Sequence, residues 1–329
     1  MQAIAYSAFG AAGEVLTLRD LPTPSPAPGE VLVRLKTSGV NPSDVKARAG
    51  ARPGVTKPPF DVIIPHSDGA GTIEAVGDGV DLRRLGERVW IWNGQWQRAH
   101  GTAAEYIAVP SDQAVRLPDN VSSEIGAMLG IPGLTATHTV LGGGSVDGKT
   151  VLVSGGAGSV GRLAVQVAKA SGARVLATAR GEAGLQNARA AGADHVFDYT
   201  APDLTDQILT VLGGSLVDRI IEVEFGQNAA LNTAIIKENG TIAAYGSAKE
   251  MAPAMPFYPL MFKAVTLDLV LVYILPADIR RQAEANLNRL LERNALDFQI
   301  SDVFGIADCA KAHDLVASGQ RRGGVLISV

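Results

Sequence analysis

Residues 151–161 read VLVSGGAGSVG. Three apolar residues of β-forming type come first, a run of small residues follows, and the sequence then places apolar side chains on one helical face. This order predicts a strand, a tight turn and a helix. Gly156, Gly158 and Gly161 have the spacing G-x-G-x-x-G. In that spacing, glycine permits a tight turn, close approach of a pyrophosphate to the backbone, and close contact between the helix and the strand.

The segment therefore predicts a nucleotide site in which N–H groups at the helix N-terminus bind a pyrophosphate. A second strand-like run, residues 174–178, follows at the distance that one βαβ unit requires. A plain glycine-rich turn is the alternative, because the chain contains 37 glycines. The context favours the nucleotide site, and its predicted residues are Gly156, Ala157, Gly158, Ser159, Val160 and Gly161.

Length and composition limit the classes of protein that the chain can be. At 329 residues it exceeds one average domain, so two domains are expected. Hydrophobic residues make up 47% and charged residues 19%, as in an ordinary soluble globular protein. The formal net charge of −4, from 29 basic and 33 acidic residues, is small and dispersed, which argues against nucleic acid or a membrane surface as a partner.

Cysteine usage and the N-terminal residues narrow the classes further. Cys309 is the single cysteine, which excludes an internal disulfide and a multi-cysteine metal site. We interpret it as a small buried residue and not as a nucleophile. No run is as long as an apolar membrane span, and residues 1–10 lack a basic region followed by an apolar one. A cytoplasmic location is therefore expected.

The first third of the chain has the pattern of a β-rich domain. Val31, Val33 and Leu35 alternate as in a half-buried strand, and the four prolines of residues 21–30 predict an extended connector before it. Short strands and glycine turns then alternate about every ten residues, which is typical of a compact barrel or sandwich. From about Ser122 the sequence becomes helical.

Strand and helix patterns alternate in the next part of the chain. Five strand segments separated by helix-length segments predict a doubly wound parallel sheet of the α/β class. The five segments are VLVSGG, RVLATAR, HVFDY, RIIEVEF and TIAAYGS. Residues 266–275 predict a further strand, and a helix with one apolar face follows over residues 277–296. The tail from about Leu296 returns to short strands, and we expect it to rejoin the N-terminal domain.

Eight segments spread over nearly the whole chain carry a resemblance to a known family. They are GEVLVRLKTSGVNPSDVKARAG, IPHSDGAGTIEAVGDGV, GERVW, TAAEYIAVP, GIPGLTATHTVL, GKTVLVSGGAGSVGRLAVQVAKASGARVLATAR, AGADHVFDY and NGTIAAYGS. The chain resembles the zinc-independent quinone oxidoreductases, related to zeta-crystallin, of the medium-chain dehydrogenase/reductase superfamily. The resemblance implies a GroES-like β-domain over residues 1–122 and 275–329. It also implies a Rossmann domain over residues 123–274, with nicotinamide in the cleft.

The ligand residues of the zinc-dependent relatives are missing from this sequence. A catalytic zinc needs cysteine and histidine ligands, and a structural zinc lobe needs four closely spaced cysteines. Where the zinc enzymes have G-H-E, the chain has His66-Ser67-Asp68, with serine at the ligand position. His66 alone is interpreted as a hydrogen-bonded turn residue. We therefore expect no bound metal.

The end of the second Rossmann strand indicates the coenzyme. NAD sites usually place an acidic residue about 20 residues past the glycines, where it repels a 2′-phosphate. The chain has Thr178 and Arg180 there, and a guanidinium suits a phosphate, so NADPH is predicted. Glu182 lies nearby, and Arg180 as a solvated surface residue is the alternative. The resemblance places Tyr199 near the adenosine phosphate, although a structural tyrosine would look the same.

The resemblance also assigns residues at the nicotinamide and acceptor ends. Thr135 and the turn Tyr245-Gly246-Ser247 match the family's nicotinamide positions. Asn41 matches an asparagine that faces the acceptor, and Lys46 stands where the family has tyrosine. Lysine can donate to a developing oxyanion. An exposed helix lysine is an equal alternative.

A tryptophan-rich loop is a candidate wall for a flat acceptor. Trp92 and Trp96 could stack on a quinone, whereas Trp90 is explained as well by core packing. Arg98 and His100 are candidate polar contacts. Glu224, after a predicted strand, is expected to face solvent.

The predicted function is NADPH-dependent reduction of a small quinone without metal. The alternatives are reduction of an enone or enal, or NADPH binding without turnover. The apolar residues 266–275 could pair across a twofold axis, so a homodimer is expected, although a buried central strand would give the same pattern.

Overall fold

The computed structural model describes residues 1–51 and 54–329. The chain divides into two compact units. The β-rich unit comprises residues 1–131 and 298–329, and the parallel-sheet unit comprises residues 132–297. Within the described part of the chain, no helix combines the length and the apolar character needed to cross a bilayer.

Strands and helices are numbered in chain order. The strands are β1 (Gln2–Ala5), β2 (Thr17–Asp20), β3 (Glu30–Val40), β4 (Asp68–Val76), β5 (Arg88–Ile91), β6 (Tyr106–Pro110), β7 (Ala114–Arg116), β8 (Thr150–Val153), β9 (Arg174–Ala179), β10 (His195–Asp198), β11 (Val217–Glu222), β12 (Ile236–Ala244), β13 (Thr266–Leu269), β14 (Ile300–Gly305) and β15 (Gly324–Ser328). The α-helices are α1 (Ala12–Val15), α2 (Pro42–Arg48), α3 (Ser123–Gly126), α4 (Leu134–Leu141), α5 (Ser159–Ala170), α6 (Gly181–Ala190), α7 (Leu204–Leu212), α8 (Phe225–Ile235), α9 (Phe257–Phe262), α10 (Ala277–Glu292) and α11 (Cys309–Ser318). Short 3₁₀ turns cover Leu82–Arg84, Ser111–Gln113, Val272–Ile274 and Ile306–Asp308, and a π-helix covers Leu129–Gly133.

The β-rich unit is built around β3. Its sheet has the order β14-β15-β3-β4-β5-β7, and β6 also pairs with β3. Val31, Val33 and Leu35 on β3 are buried, as their alternation predicts. The tail rejoins this unit as expected, because β15 pairs antiparallel with β3 from Val325 opposite Val40 onward.

Helix α11 in the tail was not predicted from the sequence. Its buried residues are Cys309, Ala312, His313 and Val316, which lie three or four positions apart and so share one face. Three of these side chains are small or polar, so the helical repeat of large apolar residues that would predict a helix is weak in this segment. The burial of Cys309 agrees with its interpretation as a buried residue.

The parallel-sheet unit contains the predicted doubly wound sheet. The strand order is β10-β9-β8-β11-β12-β13, and every neighbouring pair is parallel. The predicted strand over residues 266–275 is too long, because β13 ends at Leu269. Its partner β12 ends at Ala244, opposite Leu269, so the following residues have no strand to pair with. β13 is an edge strand, which rules out the central position.

The observed unit boundaries differ from the predicted domain boundaries at both junctions. Residues 275–297 lie in the parallel-sheet unit, because the apolar face of α10 packs against α4 there. That face is the predicted one, and its buried residues are Ala283, Leu287, Leu290 and Leu291. Residues 123–131 lie in the β-rich unit, where α3 packs on β3 and β4.

Candidate coenzyme and acceptor sites

The glycine turn joins the carboxyl end of β8 to α5. The Gly156 N–H donates to the Thr178 carbonyl at 2.8 Å, and the Gly158 N–H donates to the Gly155 carbonyl at 3.0 Å. A Cβ on Gly161 would lie 2.2 Å from the Gly155 oxygen, and one on Gly156 would lie 2.8 Å from the Ala177 Cβ. Packing therefore requires glycine at positions 156 and 161.

Gly158 differs from the other two glycines of the motif. A Cβ at this position would meet only the Gly155 oxygen, at 3.4 Å, which is an ordinary contact. Its backbone dihedrals of −78° and 166° are open to any residue. The fold itself therefore does not demand glycine at position 158, and the missing Cβ leaves space for a ligand to approach the turn.

The N-terminus of α5 provides donors for an anion. The helix begins at Ser159 with Gly158 as its N-cap, and no side chain caps it. A helix N-terminus without a side-chain cap presents backbone N–H groups at the positive end of the helix dipole. The side chains of Asn187 and Thr178 hold the backbone of the glycine turn in place. Asn187 Nδ2 donates to the Ala157 carbonyl at 3.2 Å, and the Gly155 N–H donates to Thr178 Oγ1 at 3.2 Å.

Arg180 and Tyr199 lie beyond the carboxyl ends of neighbouring parallel strands. Arg180 is exposed and directly follows β9, where it is the N-cap residue of α6. Tyr199 directly follows β10, is 42% exposed, and donates its backbone N–H to the Ala179 carbonyl at 3.0 Å. The structure therefore brings together the two residues predicted for the adenosine phosphate end.

Two acidic residues lie near Arg180, and both accept hydrogen bonds from other residues. The charge of Arg180 also acts on Asp198 and contributes to lowering its pKa. Glu182 accepts a hydrogen bond from Gln186 at 3.0 Å and lies 3.6 Å from the Arg189 guanidinium. Asp198 accepts from the Gly181 N–H at 3.0 Å. The Thr200 hydroxyl and backbone N–H also bind Asp198 and hold the pKa of its carboxyl below the usual value. Asp198 is thus an acidic neighbour of Arg180 that the spacing from the glycines did not indicate.

The turns after β11 and β12 form one connected structure. The Phe225 N–H donates to the Gly246 carbonyl at 2.9 Å, and the Gly226 N–H donates to Ser247 Oγ at 2.9 Å. A Cβ on Gly246 would lie 2.4 Å from the Val223 oxygen, so glycine is required by packing. Tyr245 is half-buried, and burial raises the pKa of its phenol above the usual value. Thr135 is buried on α4, where its carbonyl accepts from Thr139 Oγ1 at 2.7 Å.

Glu222 is the residue that holds these turns together, and sequence reasoning missed it. The side chain is fully buried at the end of β11. Its Oε1 accepts from the Glu224 N–H at 2.6 Å and from Asn228 Nδ2 at 3.0 Å, and its Oε2 accepts from Asn232 Nδ2 at 2.9 Å. The Tyr245 N–H donates to the Glu222 carbonyl at 2.9 Å. The period-2 pattern of β11 could have indicated an inward carboxylate, but its partners come from α8.

Glu224, which was expected to face solvent, is half-buried instead. Its Oε1 accepts from the Lys249 N–H at 2.8 Å, so it fastens the loop after β12 to the start of α8. The carboxylate is therefore part of the frame beneath the two turns.

Asn41 is held in place by a buried carboxyl group. It is the N-cap of α2, and its backbone N–H donates to Asp44 Oδ2 at 2.7 Å. Its Nδ2 donates to Asp68 Oδ2 at 2.9 Å, and the same oxygen accepts from the Ile131 N–H at 2.9 Å. Asp68 is fully buried, and this burial raises its pKa well above the usual value. Lys46, by contrast, is exposed on α2.

The tryptophan loop offers less surface than its sequence suggests. Trp90 is fully buried in β5, which supports the core interpretation. Trp92 is only 5% exposed, so little of its ring is available to a substrate. Trp96 is half-buried, and the Arg98 guanidinium donates to the Gln113 side chain. His100 is exposed.

A histidine-cysteine cluster lies in the β-rich unit. His66, Cys309 and His313 are buried, and their ligand-type atoms lie within 4.8 Å of one another. His66 is hydrogen-bonded, as predicted, but its partners include His313, which is 247 residues away in sequence. Burial lowers the pKa of His313 to about 3 and raises the pKa of Cys309 to about 12, so both groups are neutral in the isolated protein.

Two family models match the chain. The model described as alcohol dehydrogenase GroES-like domain matches residues 27–119, within the β-rich unit. The model described as zinc-binding dehydrogenase matches residues 159–291, within the parallel-sheet unit. The predicted fold, a GroES-like domain with a Rossmann sheet, is confirmed.

Similar proteins match over the full length of the chain. The quinone oxidoreductase of Homo sapiens is 30% identical over 331 residues, covering 99% of this chain and 97% of that protein. The solved structure of an NAD-dependent alcohol dehydrogenase is 29% identical with a TM-score of 0.89, and it covers 100% of both chains. A mycobacterial protein solved in complex with NADPH is 27% identical with a TM-score of 0.86, again over 100% of both chains.

Proposed function

The chain belongs to the quinone oxidoreductase family of the medium-chain dehydrogenase/reductase superfamily, and from this premise we propose that it is an NADPH-dependent reductase of quinones. The observation that carries the proposal is the glycine turn before the uncapped α5, with Arg180 exposed at the end of the next strand. The turn suits a pyrophosphate and the guanidinium suits a 2′-phosphate. The similar mycobacterial structure was solved with NADPH.

The residues of the parallel-sheet unit fit this coenzyme. Gly158 leaves space at the turn, and the first turn of α5 offers N–H donors to the pyrophosphate. NADPH, when bound, supplies the hydride. Glu222 fixes the turn after β11 through its side chain and the turn after β12 through its carbonyl group. The turn after β12 carries Tyr245, Gly246 and Ser247, so these residues form a preorganised surface for the nicotinamide end.

Asn41 and Asp68 are the candidate residues for the acceptor. Hydride acceptance leaves negative charge on the acceptor oxygen, which a positioned N–H can stabilise. Asn41 Nδ2 has two N–H groups, and one of them is bound to Asp68. The other can donate to the oxyanion. Asp68 acts as a positioning residue, because its contact with Nδ2 fixes the orientation of the Asn41 amide.

The residues around Ser67 do not fit a catalytic zinc. Zinc needs histidine, cysteine or carboxylate ligands in a close group. Across residues 1–51 and 54–329, three residues of these types lie close enough together to bind one metal ion, namely His66, Cys309 and His313. Ser67, at the position of the zinc ligand, is not among them. No catalytic role is therefore assigned to zinc, and Asn41, positioned by Asp68, stabilises the acceptor oxygen.

An acceptor panel tests the proposed reaction. We expect steady-state oxidation of NADPH with 1,4-benzoquinone and 9,10-phenanthrenequinone, at a higher kcat/KM than with enones and enals. A higher kcat/KM with the enones and enals would instead support the alternative function, reduction of an activated alkene. Tight NADPH binding in a titration with no turnover on any acceptor would assign the binding role.

Replacing Lys46 tests whether this residue has taken over the role of the family's tyrosine. If Lys46 donates to the oxyanion, Lys46→Ala lowers kcat with quinones about tenfold to a hundredfold and leaves the Kd for NADPH nearly unchanged. Lys36→Ala is the matched control, because Lys36 is another exposed lysine of the β-rich unit. Equal kcat values for both variants and the wild type would remove Lys46 from the mechanism.

The edge of the parallel sheet supports a homodimer. β13 is an edge strand, and an unpaired apolar edge is a site for pairing with a second chain. Large apolar side chains cluster on and after it, with Leu269 at 72% and Ile274 at 64% exposure, and Phe262 on α9 is 78% exposed. We propose that two copies pair along β13.

A charge on this edge tests the proposed dimer. Leu269→Asp is expected to convert a dimer to a monomer in light scattering after size-exclusion chromatography, because desolvating a carboxylate at a strand interface is costly. Leu82→Asp is the control, since Leu82 is similarly exposed, at 71%, in the other unit. A monomeric wild type, or a Leu269→Asp variant that stays dimeric, would contradict the pairing along β13.

A further inference from the structure

A chain of hydrogen bonds fixes the protons of the histidine pair in the β-rich unit. Thr102 Oγ1 lies 2.6 Å from the Asp68 carbonyl oxygen, which can only accept, so Thr102 donates there. Ser38 Oγ, at 2.8 Å, must then donate to Thr102 Oγ1. Ser38 has no second proton, so it accepts from His66 Nδ1–H at 2.9 Å. His66 therefore presents a bare Nε2.

This bare nitrogen points at the two residues on α11. His66 Nε2 lies 2.9 Å from His313 Nε2 and 3.9 Å from Cys309 Sγ. A neutral His66 accepts a hydrogen bond from His313 Nε2–H. Nδ1 of His313 is then the unprotonated nitrogen of that ring. That Nδ1 is buried and has no hydrogen-bond partner. The two imidazole Nε2 atoms thus share one proton, and the Cys309 thiol beside them carries its own.

These distances are close to those of a metal site. With metal–nitrogen distances of about 2.0–2.1 Å and a metal–sulfur distance of about 2.3 Å, the nitrogens lie roughly 3.3–3.5 Å apart and each lies roughly 3.5–3.7 Å from the sulfur. The observed separations of 2.9 and 3.9 Å differ from these values by about half an ångström. The Cys309 and His313 ligand atoms lie within 4.8 Å of each other, so metal binding requires this pair to move together by up to about 1 Å. Cys309 and His313 are four residues apart on one helix face, which is a usual spacing for two ligands.

We propose that His66, Cys309 and His313 form a buried three-ligand site for a soft d¹⁰ metal ion, Cu⁺ or Zn²⁺. Thiolate and imidazole are the ligands that such ions prefer. The metal takes the place of the shared proton. The Cys309 thiol proton is released to solvent, and the His313 proton moves from Nε2 to Nδ1, which has no hydrogen bond to lose. The Ser38 contact to Nδ1 of His66 orients the ring, as outer partners of metal ligands do.

The charges around the trio favour a monovalent ion. Asp44 and Arg48 on α2 act electrostatically on the Cys309 thiol, and their charges are opposite in sign. Cu⁺ with one thiolate gives a neutral centre, whereas Zn²⁺ with one thiolate leaves a buried positive charge beside Arg48. We therefore expect Cu⁺ to bind more tightly than Zn²⁺. In either case the metal ties α11 in the tail to the segment before β4.

The site is buried, so the metal must enter as the chain folds. The test unfolds the full chain anaerobically with reductant and chelator, and refolds it with one equivalent of Co²⁺, Zn²⁺ or Cu⁺. We expect one tightly held metal per chain by mass spectrometry, a thiolate-to-cobalt absorption band, and a higher melting temperature than the metal-free chain. Protein purified from cells grown with added zinc or copper provides a second preparation that needs no refolding.

Variants distinguish this site from surface binding. Cys309→Ser and His313→Gln each lower the metal affinity by at least about 100-fold, and Ser38→Ala lowers it by about 10- to 100-fold without removing a ligand. His195→Asn is the control that removes an exposed histidine. Absence of a stoichiometric metal in both preparations, or equal affinity in the wild type and Cys309→Ser, would show that the trio is only a hydrogen-bonded core. The proposal is independent of the reductase assignment, because metal content and spectra are read without turnover.

Discussion

Gly158→Ala is expected to raise the Kd for NADPH at least about tenfold, a cost of about 1.4 kcal/mol in binding. The new methyl group meets no protein atom closer than 3.4 Å, so the fold tolerates it. The free energy of unfolding should stay within about 0.5 kcal/mol of the wild-type value, as for other substitutions outside a packed contact. The loss of affinity would come from the methyl group occupying the space of the pyrophosphate.

Gly161→Ala is the matched comparison, because it damages the fold itself. Its Cβ would lie 2.2 Å from the Gly155 oxygen, and backbone must move to relieve the contact. We expect a lower free energy of unfolding by about 1–3 kcal/mol, in addition to weaker NADPH binding. Fluorescence titration with NADPH and urea unfolding measure the two effects. An unchanged Kd in Gly158→Ala would place the pyrophosphate away from this turn.

Arg180→Ala is expected to raise the Kd for NADPH about 10- to 100-fold, corresponding to the roughly 1.5–3 kcal/mol of hydrogen bonds to a charged group. The Kd for NADH should change little, because NADH has no 2′-phosphate for the guanidinium to bind. NADH is a meaningful comparison, since one similar structure is an NAD-dependent enzyme. Titration of both coenzymes at the same salt concentration gives the two ratios.

The control for Arg180 is Arg189→Ala on the same helix. Arg189 is an exposed arginine whose guanidinium lies 3.6 Å from Glu182. Its removal changes the net charge of the protein by the same amount as the removal of Arg180. We expect it to alter both coenzymes slightly and equally. If Arg180→Ala weakened NADPH and NADH by the same factor, the 2′-phosphate role would be refuted.

Local patterns in the sequence determined much of the parallel-sheet unit. The glycine spacing, the five strand segments and the apolar face of α10 each depend on residues within one element or one βαβ unit. The period of the apolar residues along a strand or helix places them on one face, and that face packs against the core. The sequence of a single element is therefore enough to predict which of its residues are buried. The positions of Arg180 and Tyr199 were predictable for the same reason, since each directly follows a recognisable strand. The coenzyme role of Tyr199 was predicted only from the family resemblance.

The tertiary structure alone decided which polar groups meet. Glu222 gains its role from Asn228 and Asn232 on α8, and Asp68 gains its role from Asn41. His66 meets Cys309 across 243 residues, because β15 returns to β3 and places α11 beside the start of β4. A hydrogen bond or a set of metal ligands depends on the distance and direction between side chains. When the partners come from distant segments, the sequence pattern contains no information about that distance or direction.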